Sequence, residues 1–220
     1  MASSSPVVRA RVKPLLRGVS HEIAAFIAAA GAIALVIGAP TPRAAAAAGI
    51  YGATLTTLFS VSALYHRRSW SARAYALMRR FDHSAIFLLI AGTCTPLCLL
   101  LHSRLSLVML AVVWSGAALG ILKSVFWTNA PRPLVAILAV GLSWIFVPVM
   151  PELRATVGTA ALGLLLVGGI AYTVGAAVYA LRRPDPAPAV FGYHEIFHAL
   201  VIIAAGCHYA VVSSAVAAIR

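Results

Sequence analysis

Acidic side chains are almost missing from this sequence. Aspartate and glutamate together number 5 in 220 residues, and charged residues of both signs make up only 10%. A soluble domain carries about 25% charged and roughly 45–50% apolar residues, whereas 62% of this chain is apolar and its mean hydropathy is +0.96. A water-soluble core of this size could not hide so much apolar surface, so the solvent must be lipid. Cysteine is scarce as well. Cys94, Cys98 and Cys207 all fall inside apolar runs, which excludes a disulfide framework or a cysteine-based zinc module and leaves them as small buried apolar residues. There is no long polar linker and no low-complexity tail, which excludes a second domain. The formal net charge is +12. In a soluble protein that balance would point to nucleic acid. Here the charges sit in short breaks between apolar runs, so they report membrane topology and no nucleic-acid partner.

What is present is a series of apolar runs of the length a spanning helix needs, about 20 residues. Seven segments qualify: Ile23–Ala39, Ala44–Tyr65, Ser84–Leu101, Leu105–Phe126, Leu134–Met150, Ala155–Leu181 and Ile196–Ile219. The basic start followed by an apolar run looks like a signal peptide, but that run is longer than the usual 7–15 residue core of one. It reads as a retained first helix. The expected organisation is a basic cytoplasmic segment over residues 1–20 and a seven-helix membrane domain over residues 21–220. Basic residues mark the cytoplasmic side of a membrane protein. Thirteen of the 17 fall in the N-terminal segment and in the breaks around residues 67–80, 123–132 and 182–183; Arg43, Arg104, Arg154 and Arg220 fall on the other side. The expected fold is therefore an all-α integral membrane bundle of seven transmembrane helices, N-terminus cytoplasmic and C-terminus outside.

Ionisable groups inside membrane helices are costly and mark function by default. Mapped onto this topology they cluster. Helix two ends at Ser62-Ala-Leu-Tyr-His66, helix three begins at Phe81-Asp82-His83, and helix seven begins at Tyr193-His194-Glu-Ile-Phe-His198. Ser62, His66, Asp82, His194 and His198 thus lie within about two turns of one membrane surface, on three helices far apart in sequence. Taken singly, each is an ordinary polar helix end at the interface; together they form a candidate site. His194 and His198, four apart, share one helix face and can bind one metal ion, with His66 as a third nitrogen. Three protein ligands plus water is the open, catalytic form of a zinc site. Asp82 is placed to orient that water or take its proton, and Ser62, one turn from His66, to hydrogen-bond a ligand, the water or a substrate carbonyl. His21 and Glu22 open helix one at the same level and are candidates to support the site. His83 points about 100° away from Asp82 and is expected not to share the metal. His208 lies roughly 21 Å deeper along helix seven. His102 belongs on the opposite side.

His194-Glu-Ile-Phe-His198 is literally the H-E-x-x-H of zinc peptidases, in which the glutamate is the general base. Proteolysis is the lesser reading, since it leaves His66 and Ser62 unexplained and lacks a downstream third ligand. A retinal pump is excluded by the absence of lysine from helix seven and of a carboxylate at mid-membrane.

The combined motif, Ser62-Ala-Leu-Tyr-His66, Phe81-Asp82-His83 running into Ile90-Ala-Gly-Thr-Cys-Thr-Pro96, and His194-Glu-Ile-Phe-His198, resembles the hemolysin III family. That family is the bacterial branch of the progestin and adipoQ receptor group, whose wider superfamily takes in alkaline ceramidases. The resemblance covers essentially the whole chain. It implies zinc on His66, His194 and His198, Asp82 on the zinc-bound water, Ser62 as the motif serine, and a multi-pass protein of the bacterial plasma membrane. The function expected first is zinc-dependent hydrolysis of a lipid amide or ester, with membrane lipids as partners. The alternatives are structural zinc in a protein of membrane homeostasis or signalling, and a pore-forming cytolysin, for which no helix offers a polar face through the membrane. No pattern in the sequence sets an oligomeric state.

Overall fold

The computed structural model describes residues 13–219, so Arg9, Arg11 and Arg220, which contribute to the charge asymmetry, lie outside the described residues. The described chain is helical: α1 (Val19–Ile37), α2 (Pro42–Arg67), α3 (Ala72–Leu101), α4 (Arg104–Phe126), α5 (Arg132–Trp144), a 3-10 turn (Val147–Val149), α6 (Met150–Leu181) and α7 (Tyr193–Ala218). Helix starts follow local chemistry. Thr41, Ser71 and Ser103 each accept the backbone N–H three residues on, capping α2, α3 and α4. At α7 the Glu195 side chain reaches back to the Gly192 N–H at 2.8 Å. The α3–α4 turn is closed by His102 in the left-handed region, φ 53, where it stands exposed as expected.

The seven described helices each begin before their apolar runs, α3 by the most. α1 starts at Val19 and α3 at Ala72, because Ser71 caps a stretch without glycine or proline and the helix continues past the apolar slab. Thirty residues make α3 about 45 Å long against a hydrocarbon layer of about 30 Å. Its first turns, carrying Arg73 to Asp82, therefore stand in the interface as helix. α3 is the most buried of the long helices and packs on α2, α4, α5 and α7. Outward-facing positions are apolar: Phe26, Ile37 and Phe126 are 76%, 80% and 82% exposed, a coat that water would not tolerate and lipid does.

Six stretches are long and apolar enough to cross a membrane: α1, α2, α3, α4, the 50 residues from Arg132 to Leu181 taken together, and α7. The apolar runs divide that fifth stretch into two full spans. Instead α5 has 13 residues, about 20 Å, and the chain continues through the 3-10 turn with Pro148 and Pro151 directly into α6. Proline is tolerated at these first-turn positions, where its missing N–H has no partner to lose. α5 lies antiparallel to the second half of α6. Arg132 sits over the Tyr179 ring, while Trp144 Nε1 donates to Thr173 Oγ1 at 3.0 Å. α6 itself is broken near its start at Gly158, φ 84.

Small residues let α2 and α3 meet closely: a Cβ on Gly92 would stand 2.0 Å from Thr54 Oγ1, whereas one on Gly163 would meet nothing within 4 Å. Gly92→Val is expected to lower stability in detergent by about 1–3 kcal/mol, with Gly163→Val near neutral. Paired thermal melts check this; equal melting of the two variants contradicts the α2–α3 packing.

Candidate metal centre and lipid-facing cavity

The site is assembled from helix ends that meet at the basic end of the bundle. The last turns of α2 supply Ser62 and His66, four residues apart on one face. The first turns of α7 supply His194 and His198 with the same spacing. One ring nitrogen from each of His66, His194 and His198 lies within 4.8 Å of the others, and the Nε2 atoms of His66 and His194 are 3.2 Å apart. All three are buried, His198 to 1% exposure. Three imidazoles crowded together in a lipid-embedded protein are costly unless something joins them. His198 Nδ1 is moreover buried without a hydrogen-bond partner, a loss of about 1–3 kcal/mol. The cluster could hold a metal ion, and imidazole donors suit zinc, copper, iron or nickel.

Around the cluster the expected residues separate. His21, on α1, is drawn in: its ring stacks on His198 at 3.7 Å and 7°, and its Nδ1 bonds Ser62 Oγ at 2.9 Å. Ser62 therefore braces the cluster through His21. Asp82 lines the cavity beside the histidines and faces the same Ser62 hydroxyl. Glu22 is not in the site; it pairs with Arg67 at 2.8 Å on the exposed rim. His83 lines the cavity but is not one of the three converging histidines. His208 lies deeper, its Nε2 at 3.1 Å from the Leu165 carbonyl.

Glu195, the middle residue of the literal H-E-x-x-H, is occupied twice over. One oxygen accepts from Gly192 N–H and the other from Arg17 Nε. It is 3% exposed. Arg17 arrives on a short turn whose Leu15 and Leu16 N–H groups bond the carbonyls of Ala189 and Val190 in the α6–α7 connection. Gly18 makes that approach possible: its φ is +81, and a Cβ there would stand 2.8 Å from that of His66. Lys13 stands in the same crowd of cations. Partial burial, then the repulsion of Arg67 and Arg17, holds its ammonium below the ordinary lysine range.

A cavity of about 390 Å³ opens beside the histidines and runs between α3, α5, α6 and α7. Its rim carries Arg17, Arg79, Arg132, Tyr65, Tyr75 and Tyr193; its deep wall carries Leu89, Leu97, Val135, Phe146, Leu165 and Val201. Tyr65 and Tyr193 fall within the quoted stretches around the histidines, whereas Arg17, Arg79, Arg132 and Tyr75 belong to no motif, and nothing in the sequence marks those four as site residues.

Known proteins share this chain. The family model described as "Haemolysin-III related" matches residues 9–209. "Hemolysin-3" of Bacillus cereus is 31% identical over 192 residues, 86% of this chain and 84% of that protein. A "Hemolysin-3 homolog" of Bacillus subtilis is 30% identical over 154 residues, 70% and 69% of the two chains. An "Adiponectin receptor protein" of Drosophila melanogaster is 34% identical over 150 residues, 60% of this chain but 34% of that protein.

Metal analysis of purified protein should find bound metal in the wild type and none above background in a His66→Ala/His194→Ala/His198→Ala variant. Glu195→Gln should keep the wild-type metal content while losing about 1–3 kcal/mol of stability. Metal loss in the glutamine variant would return Glu195 to the metal site.

Proposed function

The chain belongs to the haemolysin-III related family, and from that membership and the site we propose that it is a zinc-dependent hydrolase of lipid amide or ester bonds. His66, His194 and His198 hold the zinc. The observation that carries the reading is the placement of these three imidazoles and Asp82 in the wall of a largely apolar cavity, within the 300–1,000 Å³ range of ligand pockets.

In this reading seven segments cross the membrane, α5 being the short one, with the N-terminus cytoplasmic. Support comes from the helix ends. Arg17, Arg67, Arg79, Arg80 and Arg132 gather at the site end, and Arg43, Arg104 and Arg154 begin helices or turns at the other. An acyl chain fills the deep wall between Leu89, Phe146 and Leu165. Its carbonyl then lies at the level of the histidines.

Zinc bound there would polarise the carbonyl and make water acidic enough to attack near neutral pH. Asp82 takes a proton from the attacking water and passes it to the leaving amine or alcohol. The hydroxyl goes to the acyl carbon, the C–N or C–O bond breaks, and a fatty acid leaves. Ser62, held by His21, keeps the Asp82 carboxyl turned toward the cavity. Arg17 and Glu195 pin the N-terminal turn over the histidines and limit water entry.

The name of the Bacillus relatives suggests lysis. The apolar deep wall argues against a water-filled passage. Zinc-loaded protein is expected to cleave a ceramide-like amide or a phospholipid ester, with His194→Ala and Asp82→Asn each lowering turnover about 100-fold or more. Turnover that survives both substitutions sinks the proposal. So does a metal-stripped protein that loses thermal stability while the loaded protein turns over no lipid, since the ion is then a structural clamp.

A further inference from the structure

The cavity rim is asymmetric in charge. On one side Arg17 is neutralised by Glu195, and nearby Arg67 by Glu22; these are the ion pairs among the described residues. On the α3–α5 side Arg79 and Arg132 line the cavity with no carboxylate within 4 Å. Their partners are neutral: Arg79 donates to Asn129 Oδ1 at 3.3 Å, and Arg132 to the Tyr193 hydroxyl at 2.9 Å. Arginine has five N–H donors in a planar fork that matches phosphate, so each retains donors to spend. Behind them, Lys123 on α4 has its Nζ buried without a hydrogen-bond partner. The carboxylate facing this group is Asp82, one turn along α3 from Arg79, and two guanidiniums outnumber it.

Half-buried cations at a lipid-facing rim without counter-charge are expensive. A ligand with a negative group would relieve them, and the apolar wall below makes that ligand a lipid rather than a free ion. We propose that Arg79 and Arg132, supported by Lys123, capture the phosphate headgroup of an anionic lipid whose acyl chain enters the cavity. The inference rests on the reading of the site as lipid-directed and names the substrate class: a phosphate-bearing acyl lipid rather than a neutral one. It does not depend on turnover.

Binding of monooleoylglycerol and of its phosphate ester, oleoyl lysophosphatidic acid, tests it, since the two differ only in the phosphate. Both are titrated against full-length protein in neutral detergent, with inorganic phosphate as a third probe. The phosphate ester is expected to bind about tenfold tighter or better. Arg79→Gln/Arg132→Gln should bring the two lipids to parity while keeping the wild-type affinity for monooleoylglycerol, which shows that the variant is folded. Arg73→Gln, at an exposed position outside the cavity, should keep the preference. Arg79→Lys/Arg132→Lys should keep part of it. His194→Ala should keep all of it, so a failure of hydrolysis and a failure of headgroup capture are read separately. Equal binding of the two lipids by wild type overturns the proposal. A preference that survives the double glutamine variant also overturns it. So does arginine-dependent binding of inorganic phosphate with no preference between the lipids, because the anion is then free phosphate.

Discussion

Lipid offers no hydrogen bonds, and that constraint orders the polar groups of this bundle. A polar side chain within the slab must find a protein partner or retreat to a helix end. Several that stay do so in pairs, Trp114 with Thr95, Trp144 with Thr173, and Thr93 with the Leu89 carbonyl one turn back, while the Tyr51, Thr56 and Ser84 hydroxyls are buried without a partner. The ionisable ones collect at one end, where Tyr65 bonds Tyr75, His21 bonds Ser62 and Arg17 pairs with Glu195. His66, His194 and His198 are the densest group of this kind. They face one another, with the Nε2 atoms of His66 and His194 at 3.2 Å and His198 Nδ1 left without a partner. A metal cation could satisfy all three at once.

The same constraint accounts for the partners of Glu195. At the start of a helix the first N–H groups have no partner within it. Glu195 satisfies the Gly192 N–H and is then a buried charge in need of neutralisation, which Arg17 supplies. The pair closes the N-terminal turn onto the α6–α7 connection. One acceptor site on each Glu195 oxygen is thus taken, by Gly192 N–H and by Arg17 Nε. Asp82 lines the cavity and faces the Ser62 hydroxyl, with no ion pair to a guanidinium among the described residues.

The histidine cluster is legible in the amino-acid sequence because helical spacing and membrane topology together put Ser62, His66, His194 and His198 at one level. His21 is legible only by depth; its stacking on His198 depends on how α1 is rotated, which the sequence of an evenly apolar helix does not encode. Arg79 and Arg132 are hidden for a different reason. The apolar run of the third helix begins at Ser84, so Arg67–Arg80 reads as a connecting loop, and residues in a loop are not assigned to a wall. The Ser71 cap makes that stretch helix and turns Arg79 inward. α5 is shorter than its apolar run because mean apolarity continues through Pro148 and Pro151, while the backbone changes direction beneath it.

The two halves of the cavity mouth have complementary chemistry. On the α1, α2 and α7 side stand nitrogen donors suited to a metal cation; on the α3 and α5 side stand guanidiniums suited to an anion. Asp82 lies between them on α3. A lipid seated with its chain among Leu89, Phe146 and Leu165 would present its headgroup to the arginines and its carbonyl to the histidines. The acyl bond between those two parts would then lie on the side of the cavity that Asp82 lines. Charge of both signs at a single mouth is expensive in lipid, and it is retained on helices whose remaining faces are almost wholly apolar. One bound lipid that satisfied both sides would offset that cost, and the proposed headgroup capture would join the arginines and the histidines in one site.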